Sequence, residues 1–261
     1  MKSKIWVAAA MGLLATALSA PVATAQCGSY PGMMISFAGD VWAYETAYTP
    51  ATFTSDPGSQ LTVVGTVSLF CFPFSDLNPA SPDTEYTFIW DGLTSQGTTS
   101  APYGIGGTKY TTSYVGGGFR IYAGSPRNAP TAASLPALPA PGVVPERFVD
   151  GTMILSGGMG PLAVSVIRLA NGNCSGSFRA DYWGTGGTLY DRVGDAISLL
   201  AGAWCPATAP PPPGLAAQAV QTIGLCDLPV GWSAHPTGKW DMPVTVLTLP
   251  STWGKIKTLY R

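Results

Sequence analysis

The stretch LAVSVIRLANGNCSGSFRADYW, residues 162–183, decides the class of fold that the sequence predicts. Two segments of strand-like composition, residues 162–169 and 177–183, flank the dipeptide Asn171-Gly172. Asn-Gly favours the tight turn that joins two antiparallel strands, because both residues accept the positive φ angles of that turn. The stretch therefore predicts a β-hairpin.

Similar signals recur on both sides of this hairpin. Residues 85–91 alternate, with Tyr86, Phe88 and Trp90 on one face, which predicts a half-buried strand that ends at the turn signal Asp91-Gly92. The helical spacing of Val193, Ile197 and Leu200 predicts a helix at residues 192–203, and a strand is the alternative. Further strands are predicted for residues 62–72, 110–115, 119–122 and 152–155, with a hairpin turn at 116–118 and a turn at 56–59.

Composition agrees with an all-β protein. The chain has 32 glycines and 24 prolines, and only 10% of its residues are charged. This predicts short strands joined by many tight turns, while the 11% aromatic content indicates that a core forms. The formal net charge of −1 and the absence of a basic patch argue against a nucleic-acid partner. The predicted fold is an antiparallel β-sandwich.

The N-terminus has the three-part pattern of a secretory signal peptide. Lys2 and Lys4 precede an uncharged apolar run at residues 5–18, and Ala23-Thr24-Ala25 places small residues before a cleavage site at Gln26. We therefore expect residues 1–25 to be removed and the protein to be secreted, periplasmic or displayed at the cell surface. An uncleaved membrane anchor and a lipid anchor on Cys27 are the alternatives. No later stretch predicts a membrane span.

The rest of the chain is expected to contain one sandwich domain, residues 26–205. Its two half-units, 27–128 and 146–205, would bury their apolar faces against each other, because an open sheet of four or five strands must cover such a face. The core is expected to include Phe88, Trp90, Ile121, Ile154 and Val166.

Proline-rich segments suggest the boundaries. Residues 129–145 are either a surface connection between the half-units or a true linker between two small domains. Residues 206–214 contain four consecutive prolines, so we expect the domain to end near Cys205. The remaining tail, residues 215–261, contains one predicted strand at 244–249, and it either docks on the domain or lies apart.

Five cysteines suggest a disulfide framework in an exported protein. The preferred pairs are Cys27–Cys71 and Cys174–Cys205, because each lies within one half of the chain, although spacing leaves other connectivities open. The fifth cysteine is then free, joined to another chain or lipidated. No CxxC pair is present, which argues against a zinc site.

No constellation of catalytic residues stands out. The single histidine, His235, lies beyond the proline run, and the GxSxG signature of a hydrolase is absent. Glu85 and Asp91 share one strand but are about 20 Å apart along it, too far for paired carboxylates. Asp83 and Glu85 are candidate calcium ligands beside a turn; no other cofactor is expected.

Aromatic residues offer one further candidate site. Trp42 and Tyr44 lie in one segment and Tyr182 and Trp183 end another, so these four residues are candidates for a platform that stacks on sugar rings. In a β-sandwich such rings are more often part of the core.

Two glycine-rich stretches carry a resemblance to known sequences. GGGFRIY at residues 116–122 and FVDGTMILSG at 148–157, together with Gly186-Gly187-Thr188, resemble exported, uncharacterised bacterial proteins of a β-rich, glycine-rich type. The resemblance implies export and a β fold, and it implies no activity or site residues.

These observations favour a secreted, non-enzymatic β-sandwich with an envelope, matrix or adhesive role, whose partners would be glycans or envelope components. The alternative is a carbohydrate-binding module or a carbohydrate-active enzyme.

Overall fold

Runs of alternating and β-branched residues form strands throughout the part of the chain that the structure describes. The structure is a computed structural model that describes Cys27, residues 32–131, residues 146–207, Leu228 and residues 232–242. The chain divides into two compact units, Met1–Pro31 and Gly32–Arg261, and Cys27 is the one described residue of the first. The described strands of the second unit are β1 Met33–Phe37, β2 Val41–Glu45, β3 Tyr48–Thr49, β4 Thr54–Ser55, β5 Gln60–Thr66, β6 Leu69–Phe70, β7 Glu85–Tyr103, β8 Gly107–Val115, β9 Gly118–Gly124, β10 Thr152–Met159, β11 Leu162–Arg168, β12 Cys174–Gly186, β13 Ser198–Pro206 and β14 Ala234–Asp241.

Four long, bent strands form the centre of the fold. The first half of β7 lies between β5 and β9, and its second half pairs with β8 as far as Tyr103. β8 and β9 therefore form one return strand along β7. β11 and β10 form the next strand, since β11 pairs with β8 and β10 pairs with β9, and β12 runs along both. The result is an antiparallel meander whose strands all bend near their middle.

Glycines occupy the line along which this meander bends. Gly117 has a φ of 81°, and a Cβ there would lie 2.7 Å from the Asp91 carbonyl oxygen. A Cβ on Gly157 would lie 2.1 Å from the Trp183 carbonyl oxygen. At Gly117 only glycine permits the backbone angle, and at both positions only glycine permits the close approach. The predicted hairpin turn at 116–118 is therefore wrong: β8 and β9 do not pair with each other, and the glycines form a crease within one strand.

The hairpin at Asn171-Gly172 is confirmed. β11 and β12 pair from Ala163–Arg179 to Arg168–Cys174, and Gly172 has a φ of 86° within the turn. The turn at 56–59 is also confirmed, since the Ser59 amide donates to the Asp56 carbonyl oxygen over 3.1 Å. Residues 198–206 form β13, so the strand alternative for this region is confirmed over the helix.

The C-terminal part of the chain contributes a central strand. β14 pairs with β13 over eight residue pairs, from Leu199–Asp241 to Pro206–Ala234, and it also pairs with β1 and β2. The expectation that the domain ends near Cys205 is therefore wrong, because residues 234–241 complete the sheet. The prolines at 210–213 and the predicted strand at 244–249 lie outside the described residues.

The sandwich core is aromatic. Phe37 of β1 packs edge-on against Trp90 of β7 at a ring distance of 5.4 Å, and Phe119 of β9 packs against Trp240 of β14 at 4.6 Å. Phe178 of β12 packs against Trp90 at a ring distance of 5.7 Å, with the two rings tilted. The fold is thus an all-β antiparallel sandwich, and the five predicted core residues, Phe88, Trp90, Ile121, Ile154 and Val166, are confirmed as members of its core.

A second apolar cluster covers the outer face of β2, β5, β7 and β9. Trp42 and Ile89 meet Phe148 and Trp232 there, and Leu228 packs against the cluster. The first half of β7 is therefore buried on both faces, and the prediction of a half-buried strand ending at Asp91 is wrong. The strand continues to Tyr103 because Gly92, with a φ of 72°, takes part in the crease instead of a turn. Residues 1–25 and most of the stretch 129–145 lie outside the described residues.

Candidate functional site

A half-buried carboxylate lies where β2 reaches the end of the core. Val41, Ala43 and Glu45 share one face of β2, and the first two are buried in the main core. Glu45 follows in the same register, so its carboxylate lies at the inner surface of the sandwich. Ser55 donates a hydrogen bond to its Oε1 atom, and the Tyr114 hydroxyl donates to Oε2 over 3.0 Å.

Hydroxyl groups extend this cluster across several strands. The Ser55 and Ser95 hydroxyls are 2.7 Å apart and hydrogen-bonded, and the Gly97 amide donates to Ser95 Oγ over 3.0 Å. The Ser55 amide donates to Thr98 Oγ1 over 2.8 Å, and the Thr98 and Thr112 hydroxyls are 2.7 Å apart. The Glu45 cluster, defined as Glu45, Ser55, Ser95, Thr98, Thr112 and Tyr114, thus connects β2, β4, β7 and β8.

Burial sets the electrostatics of the cluster. Loss of hydration raises the pKa of the Glu45 carboxyl above its usual range, although hydrogen bonds from Ser55, Tyr114 and Ser59 oppose the change. The charge of Asp56 adds a smaller upward contribution. Burial, and then the neighbouring charge of Glu45, raise the pKa of the Tyr114 hydroxyl well above its usual range. Burial therefore shifts both groups toward their neutral forms.

The arrangement can hold a proton and can tie strands together. A serine hydroxyl against a carboxylate is one element of a nucleophile–base pair. Ser55 is buried, however, and its hydroxyl is also hydrogen-bonded to Ser95, while both oxygens of Glu45 accept bonds from within the fold. His235 is engaged elsewhere, with its Nε2 atom 2.5 Å from the Gly39 carbonyl oxygen.

The predicted aromatic platform is not assembled. Trp42 and Tyr44 lie in the second apolar cluster, and Tyr182 packs edge-on against Phe119 in the main core. Trp183 is half-buried, and its indole ring covers the backbone of Gly158, where an added Cβ would lie 2.6 Å from the ring. The platform prediction is wrong for the three buried residues, because their strands are covered on the faces that these side chains occupy.

The two calcium candidates have different surroundings. Asp83 is exposed, whereas Glu85 is buried and its carboxylate accepts hydrogen bonds from the Asn128 and Ala129 amides. Glu85 therefore anchors the segment that follows β9. Among the residues that the structure describes, no group of three His, Cys, Asp or Glu side chains could hold a metal ion. A calcium site at Asp83 and Glu85 stays a prediction.

One predicted disulfide is wrong. Cys27, Cys71 and Cys205 are each disulfide-bonded, as the predicted Cys27–Cys71 pair requires, but Cys174 is a free thiol. The β12–β13 ladder pairs Ser177 with Ala203, and extending this register by two residues places Cys205 opposite residue 175. Neighbouring residues of a strand point to opposite faces, so Cys174 points away from Cys205.

Sequence reasoning missed the Glu45 cluster. Its members come from four strands far apart in sequence, and serine and threonine carry no signal of burial. The signal that was available is the register of Glu45 with Val41 and Ala43, which places a carboxylate on an otherwise apolar strand face.

Comparisons with known proteins identify no relative. No family model matches the chain, and neither a curated protein nor a solved structure matches it. Within the described part of the chain, no helix is long and apolar enough to cross a membrane.

Proposed function

We propose that this protein is an exported, non-enzymatic β-sandwich with a structural or adhesive role in a cell envelope or extracellular matrix. The observation that carries the proposal is the Glu45 cluster: its carboxylate and hydroxyl groups are hydrogen-bonded to one another between strands, which stabilises the sandwich. Three disulfide-bonded cysteines support an oxidising compartment, as does the N-terminal sequence pattern.

Cell fractionation tests the location. The chain is expected outside the cytoplasm, with an N-terminus at Gln26 by Edman degradation or mass spectrometry. An unprocessed chain that stays with the cytoplasmic fraction and contains only reduced cysteines would overturn the proposal of export.

A carbohydrate-active enzyme is the second candidate, and one observation favours it. Burial raises the pKa of the Glu45 carboxyl, and a carboxyl with a raised pKa is what a general acid for glycoside hydrolysis requires. The aromatic platform no longer supports this alternative, since three of its four residues are buried.

A hydrolysis screen separates the two candidates. The wild-type chain, Glu45→Gln and Ser55→Ala are assayed on aryl glycosides, aryl esters and peptides, with Glu146→Gln, at an exposed position, as the matched control. The proposal expects all four proteins to give the same background rate. Turnover by wild type and Glu146→Gln that is lost in Glu45→Gln or in Ser55→Ala would establish an enzyme instead.

A further inference from the structure

Two hairpin turns lie side by side at one end of the meander. The β7–β8 turn follows Tyr103, and the β11–β12 turn follows Arg168. A Cβ placed on Gly106 would lie 3.2 Å from the Cβ of Ala170, so the turns are in contact. They present three large exposed apolar side chains, Tyr103, Ile105 and Leu169, which we call the apolar tip.

The apolar tip projects beyond the core. Ile105 is 102% exposed, which means that no neighbouring residue shields its side chain. The five residues of β7 that precede the turn, residues 99–103, are all exposed, so both faces of the strand are in solvent there. Gly104 and Gly106, with φ angles of 56° and 72°, already provide the turn. The isoleucine between them is not needed for the backbone and makes the projection apolar.

Two cations lie just above the apolar tip. The β7–β8 ladder ends at the Tyr103–Gly107 pair. Lys109 is two residues further along β8, about 7 Å from that end. Arg168 pairs with Thr108, about 3 Å from the same end of the ladder. Its side chain lies on the opposite face of the sheet from Lys109. Neither cation has an ion pair among the described residues. Residues 99–115 and 162–180, which form this end of the meander, contain no Asp or Glu.

We infer that the apolar tip docks on an anionic lipid surface. Ile105 enters the boundary between headgroups and acyl chains, and Lys109 and Arg168 lie at the level of the lipid phosphates. A bilayer closes around a projecting side chain of any shape, whereas a protein partner needs a matching cavity. The inference deepens the proposed envelope role, on which it rests for access to a membrane, by naming the partner surface.

Vesicle sedimentation tests the inference with the chain from Gln26 onward. Vesicles of phosphatidylcholine with an equal amount of phosphatidylglycerol are compared with vesicles of phosphatidylcholine alone. Binding is expected to the anionic vesicles, to weaken in 1 M salt, and to fall at least about tenfold in Ile105→Asp. Lys109→Gln and Arg168→Gln should each weaken it about fivefold.

Ile197→Asp is the matched control. Ile197 is 62% exposed and precedes Ser198, which pairs with Tyr182 at the opposite end of the β12–β13 ladder. This variant should bind anionic vesicles as wild type does. Absence of binding by wild type, or equal loss in Ile105→Asp and Ile197→Asp, would overturn the inference. A dimer in sedimentation velocity that Ile105→Asp dissociates, without vesicle binding, would assign the apolar tip to a second copy of the chain.

The outcomes separate this inference from the proposed function. Failure of vesicle binding leaves the result of the hydrolysis screen unchanged. Glycoside turnover that is lost in Glu45→Gln would overturn the non-enzymatic role, yet vesicle binding that depends on Ile105 would still stand, because the two residues belong to different parts of the sandwich.

Discussion

Replacing Tyr114 by phenylalanine tests whether the Glu45 cluster stabilises the fold. Tyr114 is buried, and its hydroxyl donates to Glu45 Oε2 over 3.0 Å. The substitution removes this one donor and keeps the ring in the core. The carboxyl group of Glu45 then keeps its hydrogen bonds from Ser55 and Ser59 but loses the one from Tyr114.

The cost of this substitution should depend on pH. Burial raises the pKa of Glu45, so the stability gained from its neutral form is fully present below the unfolded pKa of about 4.3 and is lost as the pH rises through the folded pKa. A hydrogen bond to a charged group contributes about 1.5–3 kcal/mol, against about 0.5–1.5 kcal/mol for a neutral pair. We therefore expect Tyr114→Phe to lower the free energy of unfolding by about 0.5–1.5 kcal/mol at pH 4 and by about 1.5–3 kcal/mol at pH 8.

Urea denaturation of the oxidised protein at the two pH values provides the measurement. Tyr110→Phe is the matched control, because Tyr110 lies on the same strand, is half-buried and undergoes the same chemical change. Its cost should be smaller and independent of pH. An equal cost of Tyr114→Phe at both pH values, or a cost no greater than that of Tyr110→Phe, would refute the assigned role of the carboxylate.

Three further predictions follow from single positions. The free energy of unfolding should fall less between pH 4 and pH 8 in Glu45→Gln than in wild type, because glutamine does not titrate and the raised pKa of Glu45 is removed. An equal fall in both proteins would contradict this. Gly117→Ala should destabilise the protein more than Gly58→Ala in thermal unfolding: both positions have a positive φ, at a cost of about 1–2 kcal/mol, but only the Cβ at 117 meets backbone, and equal costs would argue against the crease. Cys174 should react with iodoacetamide more slowly at pH 8 in the native protein than after unfolding, since burial raises the pKa of its thiol; equal rates would place it in solvent.

The sequence predicts the local pairs of this fold well. The β11–β12 hairpin depends on a turn whose dipeptide, Asn171-Gly172, lies between the two strands it joins, so all the necessary information is contiguous. Core membership of Phe88 and Trp90 was also predictable, because large aromatic residues on one face of a strand are rarely left in water.

Prediction from the sequence fails where one local residue pattern suits two different backbone structures. Glycines with positive φ suit a hairpin turn and a bend within a strand equally, so Gly116 and Gly117 do not reveal which one forms. The choice is made by long-range pairing, since β9 pairs with β7 and β10 rather than with β8. The position of β14 is likewise set by long-range pairing, with β13, β1 and β2, which the sequence around the proline run does not reveal.

The crease divides the meander into two parts with different surroundings. Below it, β7 is covered on both faces, with Phe88 in the main core and Ile89 in the second apolar cluster. Above it, β7 becomes exposed toward Tyr103 but remains hydrogen-bonded to β8, which in turn pairs with β11. Because two ladders hold this projection and its base is covered on both faces, we expect it to be pre-organised. Docking of Ile105 then requires little ordering of the chain, and the lost conformational entropy that weakens binding by flexible loops is largely avoided.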